Sequence, residues 1–327
     1  MRVGCGAKGD SGSGEADILS GRQNFRNRNP VRTLPLPPFG MIPATRTGHP
    51  TPSMNLDRTL RQLAADPFAP VDLAELNLLL AADEYPDLDV PHYLGVLDDL
   101  ADHLRPKLRG GLEDRTAAFS EFLFDECGFA GNAEDYYDPR NSYLNEVLDR
   151  KLGLPITLSV LAIAVGERCG LTVVGVGLPG HFVVKAVSGC GDEVLFDPFH
   201  GGQLLDYDGV ERLVAAVTGH PFQAHEESLA GTPPGLIAQR MLNNLKATLL
   251  KSGEFARAAR VIRRLTQLVP TDPTQRRDLG VSLVRAGECG QAMQHLQAYL
   301  DMVPSADDAA AARQFLREAR KQVAKWN

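Results

Sequence analysis

The chain has 327 residues, is 43% hydrophobic and 23% charged, and carries a formal net charge of −7. At roughly 100 to 200 residues per domain, that length points to two folded units with residues left over for linkers or tails. The apolar-to-charged balance excludes a wholly disordered chain, a collagen-like chain and a coiled-coil rod. Charge is unevenly spread: residues 1–52 hold seven Arg or Lys against three Asp or Glu, which leaves the other 275 residues at −11. An acidic body lacks the basic face that neutralises phosphates, so no nucleic-acid partner is expected. The longest apolar candidate, residues 152–165, falls short of the ~18 residues of a membrane span, and none is expected. Five cysteines (Cys5, Cys127, Cys169, Cys190, Cys289) are scattered, without a CxxC pair. Neither a disulfide framework nor a zinc site is indicated, no cofactor or other metal is expected, and a reducing cytoplasm fits best.

Residues 1–52 contain eight Gly and seven Pro and show no sustained periodicity. They read as a disordered tail. Met41 and Met54 stand just before the folded pattern, so an upstream misassigned start is an alternative, and a functional basic arm a third. From Met54 the pattern is helical. Leu60, Leu63 and Ala64 precede Pro67, and Leu73, Leu76, Leu79 and Leu80 follow at helical spacing. Leu94, Leu97, Leu100, Leu104 and Leu108 form an amphipathic stripe broken near its end by Pro106. A fourth helix is expected over residues 113–127. These stripes are core faces without chemistry.

Residues 141–206 change character. A short helix opens at Asn141-Ser142, and "GLPITLSVLAIAVGERCG" is apolar nearly all round, as a buried helix is. Pro155 suits its first turn and Gly170 its end. Strands are expected over residues 172–176, 181–187 and 193–196, the last two joined by "SGCGD" as a hairpin. A buried helix on an antiparallel sheet makes the fold class α+β. After "GTPPG" the chain is helical again and repeats itself at an offset of 34 residues: Gly253 with Gly287, Glu254 with Glu288, Ala258 with Ala292, Ile262 with Leu296, and Pro270 with Pro304. The period resembles the tetratricopeptide repeat, two copies with a capping helix over residues 307–325. Two copies fall short of the ~three that an independent solenoid needs, so they are expected to lean on the preceding unit. The expected units are therefore residues 54–232 and 236–327.

One constellation could carry chemistry. A hairpin centred near Cys190 sets His181 opposite a residue between 197 and 199. Asp197 then lies beside His181 or one diagonal step away, where a carboxylate can orient an imidazole. Taken singly, each residue has a plainer reading, a half-exposed strand-end His and an Asp that opens a turn before Pro198. Gly175, Gly177 and Gly180 form a GxGxxG, but the strand expected after Gly180 argues against a phosphate loop, which needs a helix there.

The stretches "DYYDPRNSYLNEVLDRKLGLPITLSVLAIAVGERCGL", "VGLPGHFVVKA" and "FDPFHGG" resemble the N-terminal domain of the SirB family, a branch of the transglutaminase-like superfamily that a tetratricopeptide tail commonly follows. The resemblance spans residues 90–305. It implies a Cys at a helix start as nucleophile, with His181 as base and Asp197 as orienter. In the active superfamily the nucleophile stands about fifteen residues before the Gly that ends the helix, and counting back from Gly170 reaches Pro155. Proline offers neither a thiol nor an N–H for an oxyanion, and the nearest hydroxyl is Thr157. Cys169 stands at the wrong end of the helix and Cys190 in the hairpin turn. His181 and Asp197 are therefore expected as a vestigial or binding pair. Arg140, Asn141 and Tyr143 are candidate ligand or partner contacts, with a helix N-cap at Asn141 or Ser142 as the plainer reading. The expected function is a non-catalytic scaffold or regulator that binds a protein partner or peptide segment through its helical repeats. The alternatives are a hydrolase or acyl transferase with an unidentified nucleophile, and repeats that only cap the first unit.

Overall fold

The computed structural model describes residues 55–325; the tail expected over residues 1–52 lies outside them. Four helices open the chain: α1 (Leu56–Ala65), α2 (Leu73–Ala82), α3 (Val90–Leu104) and α4 (Leu112–Ser120). The first three start on side-chain caps, Asn55, Asp72 and Asp89, each accepting from backbone N–H groups of the first turn. The leucine stripe of α3 buries Leu97, Leu100 and Leu104. It ends there in a 3-10 turn over Arg105–Lys107, because Pro106 has no N–H to continue an α-helix. The helix expected over residues 113–127 divides into α4 and a π-helical stretch, Glu121–Glu126, whose wider turn buries Phe122, Leu123 and Phe124 in succession.

The middle of the chain carries the α+β core. Two short strands, β1 (Ala130–Gly131) and β2 (Leu152–Gly153), pair in parallel, with α5 (Leu144–Arg150) between them. Helix α6 (Pro155–Cys169) follows at once, with Pro155 in its first turn and Gly170 closing it at φ +80°. Strands β3 (Val173–Leu178), β4 (His181–Val187), β5 (Glu193–Asp197) and β6 (Gln203–Leu205) make an antiparallel sheet in sequence order. Gly175 and Gly177 lie within β3. A Cβ on Gly175 would meet the Phe182 ring at 2.8 Å, so close packing accounts for that glycine, and a strand follows Gly180.

One face of the sheet packs Phe182, Val184 and Ala186 into the main core with α6. The other packs Val176, Val183 and Leu195 against Val210 and Val214 of α7 (Tyr207–Thr218). Neither β6 nor α7 is expected from the sequence reading above. For α7 the signal was present: Val210, Leu213, Val214 and Val217 at helical spacing, an Asp206 cap and Gly219 at φ +73°.

The remainder is α8 (Pro234–Lys251), α9 (Phe255–Leu268), α10 (Pro273–Arg285), α11 (Cys289–Met302) and α12 (Ala309–Val323). Helices α9 and α11 begin and end 34 residues apart. Gly253 and Gly287 turn the chain with φ of +76° and +84°, and Ala258, Ala292, Ile262 and Leu296 are fully buried. The repeats have no separate core: one buried cluster runs from Leu60 to Ala319. At the junction Arg264 reaches Asp57 and Asp83, and Arg257 and Arg260 both hold Glu84.

The segment that leads into α6 hangs on one buried amide. Asn77 of α2 donates to the Ser142 carbonyl at 3.1 Å and accepts from the Leu144 N–H at 2.7 Å. Asn77→Ala should leave two interior backbone groups unpaired and lower stability by about 3 kcal/mol, read as a shift in the urea unfolding midpoint.

Candidate functional site

Strand register builds the site. β4 and β5 pair Val184 with Phe196 and Val187 with Glu193, so His181, at the start of β4, lies diagonally from Asp197, at the end of β5. Diagonal neighbours on one face are within reach of long side chains. His181 Nε2 sits 2.9 Å from Asp197 Oδ2, with both residues in the interior, 4% and 1% exposed.

The structure adds a third group. His200 Nδ1 lies 2.6 Å from the same Oδ2, and its ring stacks on that of His181 with centroids 5.5 Å apart and planes at 27°. Asp197 Oδ1 accepts the Phe199 N–H at 2.9 Å. Burial would raise the Asp197 pKa, but the hydrogen bonds and charge of the two histidines outweigh it and hold the carboxyl well below its usual range. It is thus an anion, and both imidazoles present N–H to it. The Asp197 bond, in turn, raises the pKa of His200 against burial. His200 stands in the "FDPFHGG" motif, outside the His181–Asp197 pair expected from the sequence. The usable signal was the Asp-x-x-His-Gly-Gly spacing, a tight return that brings residues three apart together.

That return is locked. Gly201 and Gly202 have φ of +69° and +70°, and the Gly202 N–H donates to the Asp197 carbonyl at 2.8 Å. A Cβ on Gly202 would come within 1.9 Å of Ser120 Oγ. The Phe199 ring stands edge-on to both imidazoles. Beneath that ring lies Gly131, where a Cβ would approach to 2.4 Å. From α8, Arg240 donates to the Leu178 and His181 carbonyls at 3.1 and 2.5 Å, fixing the turn that delivers His181. Sequence distance hid this positioning residue.

Gly131 also connects the pair to the start of α6. Its N–H donates to the Phe199 carbonyl, and it is the strand partner of Gly153, two residues before Pro155. One aromatic ring and one glycine backbone therefore link the His–Asp pair to the helix start. Pro155 is buried in the first turn. Thr157 is 1% exposed, and its Oγ1 has no protein hydrogen-bond partner. Among the described cysteines, burial pushes Cys127 up to about 11 and also raises Cys169 and Cys289. Cys169 ends α6, about 21 Å from its first turn. Cys190 is exposed in the hairpin, against Ser188 and Asp192.

The three candidate contacts ahead of α6 do not converge. Arg140 is half-exposed and paired with Asp138 at 2.8 Å. Asn141 is fully buried; it bonds Asn132 and the Asp135 carbonyl through its side chain, and its own carbonyl receives the Leu154 N–H. It is therefore an interior brace, and the helix cap expected at Asn141 or Ser142 falls instead on Tyr143, without a side-chain bond. Tyr143 is 2% exposed, edge-on to Tyr85, and burial raises its pKa to about 12. It lines a small cavity with Glu84 and Arg257 at the junction with the repeats. Interior packing thus encloses Asn141 and Tyr143, while Arg140 stays half-exposed.

Asp138 anchors this segment to Arg140 and Arg150. Burial opposes its ionisation, but the Arg140 bonds and the charge of both arginines prevail and lower its pKa. Its stabilising contribution is complete above the ordinary carboxylate pKa and is lost as pH falls through the lowered folded value. Asp138→Asn should therefore be less stable than wild type at neutral pH, with the gap closing on acidification, as measured by urea unfolding at a series of pH values.

A family model described as the transglutaminase-like superfamily matches residues 91–243, and a tetratricopeptide-repeat model matches residues 245–317. The chain is 37% identical over 238 residues to a UPF0162 protein of Xylella fastidiosa strain 9a5c, covering 71% of this chain and 84% of that protein. It is 28% identical over 239 residues to the UPF0162 protein PA3419 of Pseudomonas aeruginosa, covering 71% and 85%. A stretch of 104 residues is 32% identical to F-box only protein 21 of Mus musculus, covering 30% of this chain and 17% of that one. No solved structure matches.

Proposed function

The chain belongs to the UPF0162 family, and from that premise and the site geometry we propose that it is a non-catalytic scaffold or regulator, holding a protein partner or peptide segment on its helical repeats. The observation that carries this reading is Pro155. It stands at the helix start where the resemblance to the superfamily would place a thiol, while the buried cysteines have thiol pKa values raised by burial. A thiolate nucleophile needs the opposite environment, near a helix N-terminus and a protonated histidine. Tetratricopeptide repeats support the partner-binding half of the reading, and half-exposed Arg140 remains as a contact. Among the described residues no helix is long and apolar enough to cross a membrane. The scattered thiols favour the cytoplasm, and the −11 charge beyond residue 52 disfavours a nucleic-acid partner.

A thiol-reactive alkylating probe tests the proposal on the full chain near neutral pH. Exposed Cys190 should label to the same extent in wild type and His181→Ala. A cysteine whose labelling falls about tenfold or more in His181→Ala would behave as an activated nucleophile and refute the scaffold reading.

One observation favours a second reading, a hydrolase or acyl transferase with His181 and Asp197 behind Thr157. The Thr157 hydroxyl lies in the first turn of α6 and is unpartnered. Its burial argues against it, since a substrate would have to open the core to reach it. On the scaffold reading Thr157→Val removes an unpaired polar atom and should gain about 1 kcal/mol of stability; a clear loss would point to a hydroxyl with a task. Chemical denaturation of the two proteins decides.

A further inference from the structure

Orienting an imidazole takes one carboxylate and one histidine. Here a second imidazole nitrogen reaches the same oxygen, at 2.6 Å against 2.9 Å for the first, and the orienting role leaves it surplus. The three donor atoms lie within 4.8 Å of one another. Two imidazole nitrogens and a carboxylate oxygen gathered this closely are the ligand chemistry of zinc and of non-haem iron. At metal–ligand distances near 2.1 Å, tetrahedral donors stand about 3.4 Å apart, so the 2.9 and 2.6 Å spacings to Asp197 open by about 0.5 and 0.8 Å on binding.

We infer that His181 Nε2, Asp197 Oδ2 and His200 Nδ1 form a binding site for one divalent transition-metal ion of the zinc or iron class. The surroundings suit a first coordination shell. Asp197 Oδ1 is tied to the Phe199 N–H, which aims the other oxygen inward as a monodentate ligand. The Phe199 ring braces both imidazoles edge-on, and Arg240 and Gly202 fix the two backbone segments that bear them. Two ligands are buried and form a floor, while the His200 side chain is 47% exposed, which gives an ion a way in and leaves coordination positions open to solvent or a bound ligand. On binding, each imidazole stays neutral, its proton passing by way of solvent from the nitrogen that takes the ion to the ring's other nitrogen, and the ion supplies the charge that offsets the carboxylate. An ion held through His181 Nε2 takes the nitrogen that a catalytic pair would give to its orienting carboxylate.

The test uses the full chain stripped with chelator, then titrated with Co²⁺ as a visible-absorption probe and with Zn²⁺ in competition. The expected result is one equivalent of Co²⁺ bound, displaced by Zn²⁺, with affinity more than about tenfold lower in His200→Ala. His200 is the exposed member, so this variant keeps the buried His181–Asp197 pair, and circular dichroism confirms its fold. Asp197→Asn should lose the site altogether; if that variant does not fold, His200→Ala alone decides. Failure of the wild type to take up an ion, or equal uptake by His200→Ala, overturns the assignment.

Discussion

The constraint on which this part of the molecule depends is the ionised carboxylate of Asp197, 1% exposed. A charge removed from water is tolerated only when it is paired and hydrogen-bonded, and Asp197 receives three N–H groups, from His181, His200 and the Phe199 backbone. Each donor imposes a demand on the chain. His181 requires the β4–β5 register and the Leu178–His181 turn held by Arg240. His200 and Phe199 require a return tight enough to need positive φ at Gly201 and Gly202. The Phe199 ring then needs a neighbour without a side chain, which Gly131 supplies, and Gly131 in turn sets Gly153 and the start of α6. Removing one partner of such a buried charge costs about 3–5 kcal/mol. The strand ends, the glycine turn and the helix start therefore act as one cooperative unit.

The repeats belong to the same structure for a comparable reason. Two helix pairs cannot bury their apolar faces alone, and the first pair closes its side against α1 and α2 over a continuous core. The bonds across this junction are directional. Arg240 of α8 reaches the site's backbone, while Arg257, Arg260 and Arg264 of α9 fasten to Glu84, Asp83 and Asp57. Ion pairs on the surface add little stability one by one, but the planar guanidinium forks fix how α9 sits on α1 and on the turn after α2. Any displacement of α8 would pull on the carbonyl of His181, so the repeats and the polar site are mechanically joined.

What could be read in the sequence was whatever geometry writes locally. The repeat shows because its turn requires Gly253 and Gly287 and its helix contact requires Ala258 and Ala292, so the same residue types recur at a fixed offset. The hairpin register shows because the turn at Cys190 fixes the sum of paired residue numbers, and His181 and Asp197 follow from it. What stayed hidden depends on folding back. His200 meets Asp197 only once Gly201 and Gly202 have turned the chain, and Arg240 meets His181 only because α8 comes back beside β3 and β4. Asn141 has the look of a surface cap in sequence, yet it is a fully buried brace, since its partners Asn132 and Asp135 come from a loop without periodicity. The π-helical stretch after Ser120 was equally silent, because Phe122, Leu123 and Phe124 fit an α-helical pattern until three neighbours must all be buried.

The pairing of Pro155 with an intact Asp197 cluster limits what the site can be. If the carboxylate served only to orient a catalytic base, then without a thiol at the helix start it would be a buried charge with no task, and a well-packed apolar residue would stabilise the fold as well or better. The chain instead invests in it: two histidines, two glycines at positive φ, a braced phenylalanine and an arginine from another helix. Rigid supports around converging polar atoms are what a binding site requires, because a ligand gains affinity from donors already in place. Proline at the helix start and a fully supported carboxylate are then consistent with each other. Both follow if the superfamily's catalytic frame serves here to hold something, with His200 as the added ligand that the catalytic pair by itself does not need.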